Sequence, residues 1–369
     1  MDGTTVLLDP TPTGTSSDVD ATLRVGGAFT SYSGAIRVTT VSTTATAATV
    51  SISSSLAAPT GQTAPAVLIM SQPTALTASA SATFSFAGTD STDAVGSLRY
   101  VCSLDAAAAS PCSSPATYAG LSSAVHTFVV TVFDPSGNSG SAANTWRVDQ
   151  VPPTLMMTAP VTPYALTTTL APAWSANDVG GGLANVDVRW TQAAFNGGFT
   201  SAFYPSTWQK TTATRGALSG AAPGYTYCFS ARARDTAGNV SAWSVPRCSA
   251  VALDDRALTA SAGWSRATGS VFYRSTVTAT SRSAVTLTSA SVQTRRIYLV
   301  ATRCPTCGTV GVYWNGTLVK KVNLYAPGTS RRSVLGVTTF TGVRGGTLTI
   351  RTLTRGRAVQ IDGVALVRG

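Results

Sequence analysis

Residues Pro223–Cys248, PGYTYCFSARARDTAGNVSAWSVPRC, decide the fold. Tyr227, Phe229, Ala231 and Ala233 alternate with Cys228, Ser230, Arg232 and Arg234. That period of two belongs to a half-buried strand. Asp235-Thr-Ala-Gly238-Asn239 then supplies turn chemistry, because Gly and Asn tolerate positive φ and Asp caps its own backbone. A second strand is expected through Trp243. Cys228 and Cys248 each lie ten residues from Gly238. An antiparallel hairpin centred there sets them face to face, as a cross-strand disulfide needs.

The pattern has an earlier copy. His126-Thr-Phe128-Val-Val-Thr-Val132-Phe-Asp134-Pro-Ser-Gly137-Asn138 matches Tyr227 to Asn239 at a constant offset of 101 residues. A repeat of about that length built from short strands means tandem sandwich domains. The stretch around Tyr227, with Trp243-Ser244, resembles the last two strands of a bacterial fibronectin type III module, and that resemblance makes Tyr227 its corner tyrosine. The earlier copy carries Phe84-Ser-Phe86, Cys102-Ser-Leu-Asp105, Cys112-Ser-Ser-Pro115, His126-Thr-Phe128 and Trp146-Arg-Val-Asp149. It resembles the bacterial immunoglobulin-like repeat of secreted actinobacterial proteins. The two resemblances cover roughly residues 73–250 and imply fold more than function, since such modules are spacers and binders alike.

Composition agrees. The chain has no Glu, and its three Lys are at 210, 320 and 321. Two strong helix formers are therefore missing or scarce, and Thr, Ser, Ala, Val and Gly dominate, so an all-β chain is expected. The six cysteines fall into three close pairs, Cys102/Cys112, Cys228/Cys248 and Cys304/Cys307. This reads as local disulfides in an oxidising compartment and a secreted or cell-surface location. Met1-Asp-Gly-Thr is not a signal-peptide start, so the chain is expected to be a fragment or to have a trimmed start. No apolar run reaches 18 residues, and no membrane span is expected.

Four segments follow. Residues 1–64 are a Thr/Ser-rich β segment or partial sandwich, with strands expected at Ala21–Val25, Ala35–Thr39 and Thr49–Ser53, ending in a linker at 57–65. Residues 65–150 are the immunoglobulin-like domain, with a hairpin expected between Leu98–Cys102 and the stretch after Cys112. Residues 151–250 are the fibronectin-like domain, entered through Pro152-Pro153. Its strands are expected at Leu170–Trp174 and Val186–Trp190, with Trp174 and Trp190 in the core and Trp208 exposed. Residues 251–369 are a third, jelly-roll-like β-sandwich. There Asn315-Gly316 between two strand-like runs is a strong hairpin signal. The order Trp264, Val310-x-Val-Tyr-x-Asn-Gly316, Val322-x-Leu324-Tyr325, Thr347-Leu-Thr-Ile-Arg351, Ile361-Asp362-Gly363 resembles the galactose-binding-like sandwich appended to secreted bacterial glycosidases and wall proteins. Where relatives often have Asp before the turn glycine this chain has Asn315, so no metal role follows.

Charge is segregated. Residues 1–250 carry 10 Lys+Arg and 12 Asp, and residues 251–369 carry 16 Lys+Arg and 3 Asp, a difference of −2 against +13. Such a field attracts polyanions. The candidate ligand contacts are Trp264, Tyr273, Tyr313 and Trp314, whose rings suit sugar faces, with the dibasic steps Arg295-Arg296, Lys320-Lys321 and Arg331-Arg332. Tyr313 and Trp314 are adjacent and point to opposite faces, so at least one belongs to the core.

Catalytic residues are not expected. His126 aligns with Tyr227 and reads as structural rather than as part of a triad. Cys304-Pro-Thr-Cys307 lacks both the βαβ context of a redox motif and the four ligands of a zinc site, and reads as a disulfide. Asp105, Asp134, Asp149 and Asp235 sit in turns or at strand ends, and nothing marks Asp254, Asp255 and Asp362 as a glycosidase pair. No metal and no cofactor is implied. Basic charge without a zinc finger, helix-turn-helix or aromatic RNA signature does not indicate nucleic acid. The expected function is binding of a polysaccharide or anionic cell-wall polymer by the C-terminal sandwich. The alternatives are a structural spacer or adhesion array, and an accessory fragment of a polysaccharide-degrading glycosidase.

Overall fold

The computed structural model describes residues 28–30, 36–43, 48–54 and 63–369. Among them the regular structure is β-strand, with only short 3-10 turns, and no helix is long and apolar enough to cross a membrane. Contacts divide the chain into two compact units. The first holds the described residues up to Gln72 with Phe84–Ala116 and Thr127–Asn144. The second holds Pro73–Thr83, Thr117–His126 and Thr145–Gly369.

In the first unit β1 (Ala28–Thr30), β2 (Ile36–Thr43) and β3 (Ala48–Ser54) form an antiparallel sheet. The strands expected at Ala35–Thr39 and Thr49–Ser53 fall on β2 and β3, while Ala21–Val25 and residues 57–62 of the linker lie outside the described residues. Next along the chain, and divided between the two units, come β4 (Ala66–Ser71), β5 (Leu76–Thr77), β6 (Ala82–Thr89), β7 (Arg99–Leu104), β8 (Ser110–Pro111), β9 (Ala116–Tyr118), β10 (Val125–Phe133) and β11 (Ser139–Val148). β4 pairs with β6, and β7 lies between β8 and β10. Phe84 of β6 stacks on Phe128 of β10 at 4.1 Å, with Val130 and Val132 fully buried beside it. The partner of β7 is Ser110–Pro111, just before Cys112 and not after it as expected. Cys102 thus faces Ser110, and the Cys102–Cys112 disulfide closes a ten-residue separation.

In the second unit the end of β11 runs parallel to β5, with Arg147 opposite Leu76. β12 (Thr154–Ala159) and β14 (Ala173–Asn177) form one layer of the following sandwich. β13 (Tyr164–Ala165), β15 (Leu183–Ala194), β16 (Tyr225–Asp235) and β17 (Arg247–Val251) form the other, in the order β13-β17-β16-β15. Between them lie Trp174, Val188, Phe229, Ala231 and Ala233. Trp190 is half-buried and stacks on Phe203 at 4.3 Å. Trp208 is half-buried rather than exposed: its indole lies over Gly216, where a Cβ would come within 2.7 Å of the ring.

Cys228 and Cys248 are direct cross-strand partners on β16 and β17 and are disulfide-bonded. The expected strand through Trp243 is replaced by an irregular run. Ser241 and Ser244 hydroxyls accept the Ala233 and Ala231 N–H groups in place of a ladder. This lifts the Trp243 ring out between the Arg189 and Arg232 guanidinium groups, at 4.1 and 4.9 Å, a cation–π arrangement. The strand resumes after Pro246, which has no N–H to give a ladder. Replacing Cys228 and Cys248 by Ser is expected to destabilise this sandwich by about 3 kcal/mol, from the lost constraint on a loop of about 20 residues. Urea unfolding of the double variant beside the parent measures it.

The C-terminal segment supplies β18 (Leu253–Asp254), β19 (Thr259–Ala260), β20 (Ser265–Thr268), β21 (Thr276–Thr280), β22 (Thr286–Arg303), β23 (Thr309–Trp314), β24 (Thr317–Asn323), β25 (Ser330–Thr352) and β26 (Val359–Val367). Their main path is β20-β21-β26-β22-β25-β23-β24. Asn315 and Gly316, at φ 48° and 80°, form the two-residue connection from β23 to β24, since this turn needs left-handed backbone at both positions. Cys304 and Cys307 are bonded. The core gathers Leu258, Leu287, Ile297, Leu299, Leu324, Leu348, Ile350 and Ile361. This sandwich also meets the preceding one: Tyr164 packs on Tyr298 at 5.0 Å, Thr226 donates its hydroxyl proton to the Leu366 carbonyl, and the Arg368 guanidinium donates to the Ala194 carbonyl.

Candidate functional site

The candidate site is built by strand register. Lys321 of β24, Gly311 of β23, Arg351 of β25 and Thr286 of β22 stand abreast. Directly paired residues project to the same face of a sheet. The opposite face of β23 carries Val310, Val312 and Trp314 into the core, so the row lies on the outer face. Two residues further along β23, Tyr313 pairs with Thr349 and Leu318 on that same outer face. Its ring runs back over Gly311: a Cβ there would meet Tyr313 Cε2 at 2.8 Å and the phenol oxygen at 3.2 Å. Gly311 is thus the gap that lets an aromatic ring lie against the sheet. The ring is half-buried, and Lys321 and Arg351 on either side of Gly311 are exposed. Thr286, Thr288 and Thr349 continue the face with hydroxyl-bearing side chains.

The other sequence candidates are placed elsewhere. Trp314 is 8% exposed, packed against Phe340 at 5.4 Å. Tyr273 is 3% exposed and donates its hydroxyl proton to the Ala252 carbonyl. Both rings belong to the core and are withdrawn as ligand contacts, because their faces are covered by protein. Trp264 is half-buried, and its indole N–H donates to the Thr286 carbonyl at the far end of the row.

The dibasic steps do not converge. Neighbouring residues on a strand point to opposite faces, so Lys320 leaves the row that Lys321 joins, and its ammonium donates to the Gly336 carbonyl. Arg331 and Arg332 stand at the start of β25, with Arg351 at its end. Arg332 donates to the Ser270 and Phe272 carbonyls, and Arg331 lies over the Phe272 ring. Arg295 and Arg296 are half-buried on β22. The structure therefore brings together Tyr313 and Lys321 of the sequence candidates and adds Arg351. Arg351 is not among the sequence candidates; the alternation Thr347-Leu-Thr-Ile-Arg351 is the signal that could have shown it facing outward, but only the β23–β25 register sets it beside Gly311.

The remaining polar candidates have structural partners. The His126 ring nitrogen Nε2 lies 2.9 Å from the Ser122 carbonyl, four residues upstream. Tyr227 uses its hydroxyl similarly, accepting the Ala222 N–H five residues upstream. Asp254, Asp255 and Asp362 lie near enough to repel one another electrostatically. Asp255 and Asp362 are fully buried. Asp255 accepts from the Thr276 and Thr278 hydroxyls. Burial pushes the Asp362 carboxyl up to about 6, against the N–H of Tyr273 that holds it down, with Asp255 adding repulsion. Burial and then the neighbouring Asp255 raise Asp254 as well.

No family model matches the chain, and no curated protein matches it. Similar solved structures include the fibronectin(III)-like modules of Clostridium thermocellum CbhA, at 17% identity over 50% of this chain and 92% of that one, with a TM-score of 0.26. A 1.5-MDa bacterial ice-binding adhesin is similar at 13% identity over 83% and 98%, TM-score 0.32. Carbohydrate-binding modules from the β-sandwich superfamily are similar at 9% identity over 83% and 99%, TM-score 0.23. The chain itself is an all-β protein of several sheets, and its six cysteines are all bonded, as suits an oxidising, extracellular setting.

Proposed function

We propose that this chain is a non-catalytic extracellular or cell-surface protein whose C-terminal sandwich binds an acidic polysaccharide across the outer face of β24-β23-β25-β22. One observation carries the reading: the Tyr313 ring laid over Gly311, with Lys321 and Arg351 on its two sides. A flat ring offers apolar area to the face of a pyranose. Two cations flanking it match carboxylates or phosphates carried along a polymer. The excess of basic charge in residues 251–369 draws such a polymer in before contact. An open sheet face favours an extended chain over a small enclosed ligand.

The test uses the whole chain, titrated with a polyuronate, a phosphate-bearing wall polymer and a neutral glycan at low and high salt. Tyr313→Ala is expected to weaken polyuronate binding roughly tenfold at both salt concentrations, the loss of about 1.4 kcal/mol of stacking. Lys321→Ala with Arg351→Ala is expected to remove most of the salt-sensitive part, since exposed charges are screened beyond about 8 Å in physiological salt. Unchanged binding in Tyr313→Ala refutes the ring as a contact. Absence of binding to all three polymers leaves the spacer role.

A further inference from the structure

Three aspartates come together in the second unit, away from the Tyr313 face. Asp149 follows β11, Asp178 follows β14, and Asp235 ends β16. Each brings a carboxylate oxygen within 4.8 Å of the others. Asp149 and Asp235 are each 1% exposed. Among the described residues none of these three aspartates forms an ion pair with a cation.

The hydrogen bonds show how the carboxylates are aimed. Asp178 Oδ2 accepts the N–H groups of Gly180, Gly181 and Gly182 at 3.1, 2.8 and 2.7 Å, and Asp149 Oδ1 accepts that of Val151 at 3.1 Å. Asp235 accepts from the Gly238 and Asn239 N–H groups and from the Asn239 amide, which also donates to the Asp149 carbonyl. What remains is Asp149 Oδ2 and Asp178 Oδ1, both buried and both without a donor. A buried carboxylate oxygen without a partner is costly, and two more carboxylates beside it make it more so. Gly180 is needed for this approach, because a Cβ there would stand 2.1 Å from Asp149 Oδ2.

We propose that Asp149, Asp178 and Asp235 bind a calcium ion that ties the segment leaving β11 to the Asp178 loop and the β16 turn. The donors are all oxygen and no His or Cys takes part, which selects a hard cation over zinc. Calcium accepts several carboxylates from loops of irregular geometry, whereas magnesium demands near-octahedral ligation and keeps its waters. A second trio, Asp90, Asp93 and Asp134, is similar in spacing. It carries no proposal: its oxygens without a donor, Asp90 Oδ2 and Asp93 Oδ2, both belong to half-buried residues, and it has no counterpart of the buried Asp149 with a free Oδ2.

The whole chain, stripped with EDTA and desalted, is titrated with CaCl2 by calorimetry, and its Tm is read in EDTA, CaCl2 and MgCl2. Binding is expected with a Kd of about 10–1000 µM. Tm is expected to rise by several degrees in calcium and by less in magnesium. Asp178→Asn keeps an acceptor for the three glycine N–H groups but removes one charge. It is expected to lose one equivalent of calcium and the accompanying rise in Tm, while its Tm in EDTA equals or exceeds that of the parent. The proposal is overturned if the parent shows neither heat nor a Tm rise at about 5 mM calcium, or if Asp178→Asn retains both.

Discussion

Asp362→Asn is expected to make the protein more stable at neutral pH, by about 2 kcal/mol at pH 8. Asp362 is fully buried on β26, and its Oδ1 accepts the Tyr273 N–H at 2.9 Å while Oδ2 has no donor. Its carboxyl titrates near 6 in the folded chain against an ordinary 3.8. That gap corresponds to roughly 3 kcal/mol between the two protonation states. The folded state therefore holds a proton between about pH 4 and 6 that the unfolded chain has released. By linkage, stability falls as pH rises through this window, and the full penalty stands above it. Asparagine keeps the acceptor for Tyr273 and removes the charge that Asp255 and Asp254 repel. The gain is smaller than the linkage figure because its amide replaces an oxygen that had no partner. Urea denaturation of both proteins from pH 4 to 8 measures this: the parent should lose stability across the window and the variant should lose less, Asp254 keeping its own raised carboxyl. A variant no more stable at pH 8, with the slope intact, means that the carboxylate is satisfied in a way its hydrogen bonds do not reveal.

The sequence made the strands easier to read than their neighbours across the sheets. Tyr227, Phe229, Ala231 and Ala233 had to face inward because a strand of that pattern has one apolar side, and all four are buried. The Cys228–Cys248 register followed from the midpoint at Gly238, and the β23–β24 turn followed from Asn315-Gly316. What failed depended on lateral packing. The segment through Trp243 alternates like a strand, but Ser241 and Ser244 satisfy β16 with their hydroxyls while Trp243 sits between two arginines. Tyr273 looked like a ligand ring because a flat face with a polar tip suits a sugar. It is buried by Ala252, Val300 and Ala365, from 21 to 92 positions away in the chain. The three dibasic steps looked like one patch for the opposite reason: period two splits each pair between two faces, and only the register says which halves meet. Asp178 carried no signal, since a lone Asp before Val-Gly-Gly-Gly reads as an ordinary loop until Asp149 and Asp235 are brought to it.

Trp314→Ala, set beside Tyr313→Ala, is where register makes its sharpest prediction. The two residues are neighbours in sequence, and a ligand reading would treat them alike. Trp314 points inward, with its indole over Gly346, where a Cβ would come within 2.7 Å of the ring, and against Phe340. Truncating it empties a site built to the width of an indole, and no small neighbour can fill the space from the opposite strand because that position is glycine. The expected cost is about 3–5 kcal/mol, the usual range for a buried Trp lost from a core. Polymer affinity of the fraction that remains folded should be close to that of the parent. Tyr313→Ala should show the reverse: its outward ring rests on the sheet instead of filling the core, so its stability loss should stay near 1 kcal/mol while affinity falls. Urea midpoints and polymer titrations on both variants separate the two effects. If Trp314→Ala lost affinity with stability unchanged, the inward face of β23 would be the binding surface, and the register Lys321–Gly311–Arg351 would no longer define the site.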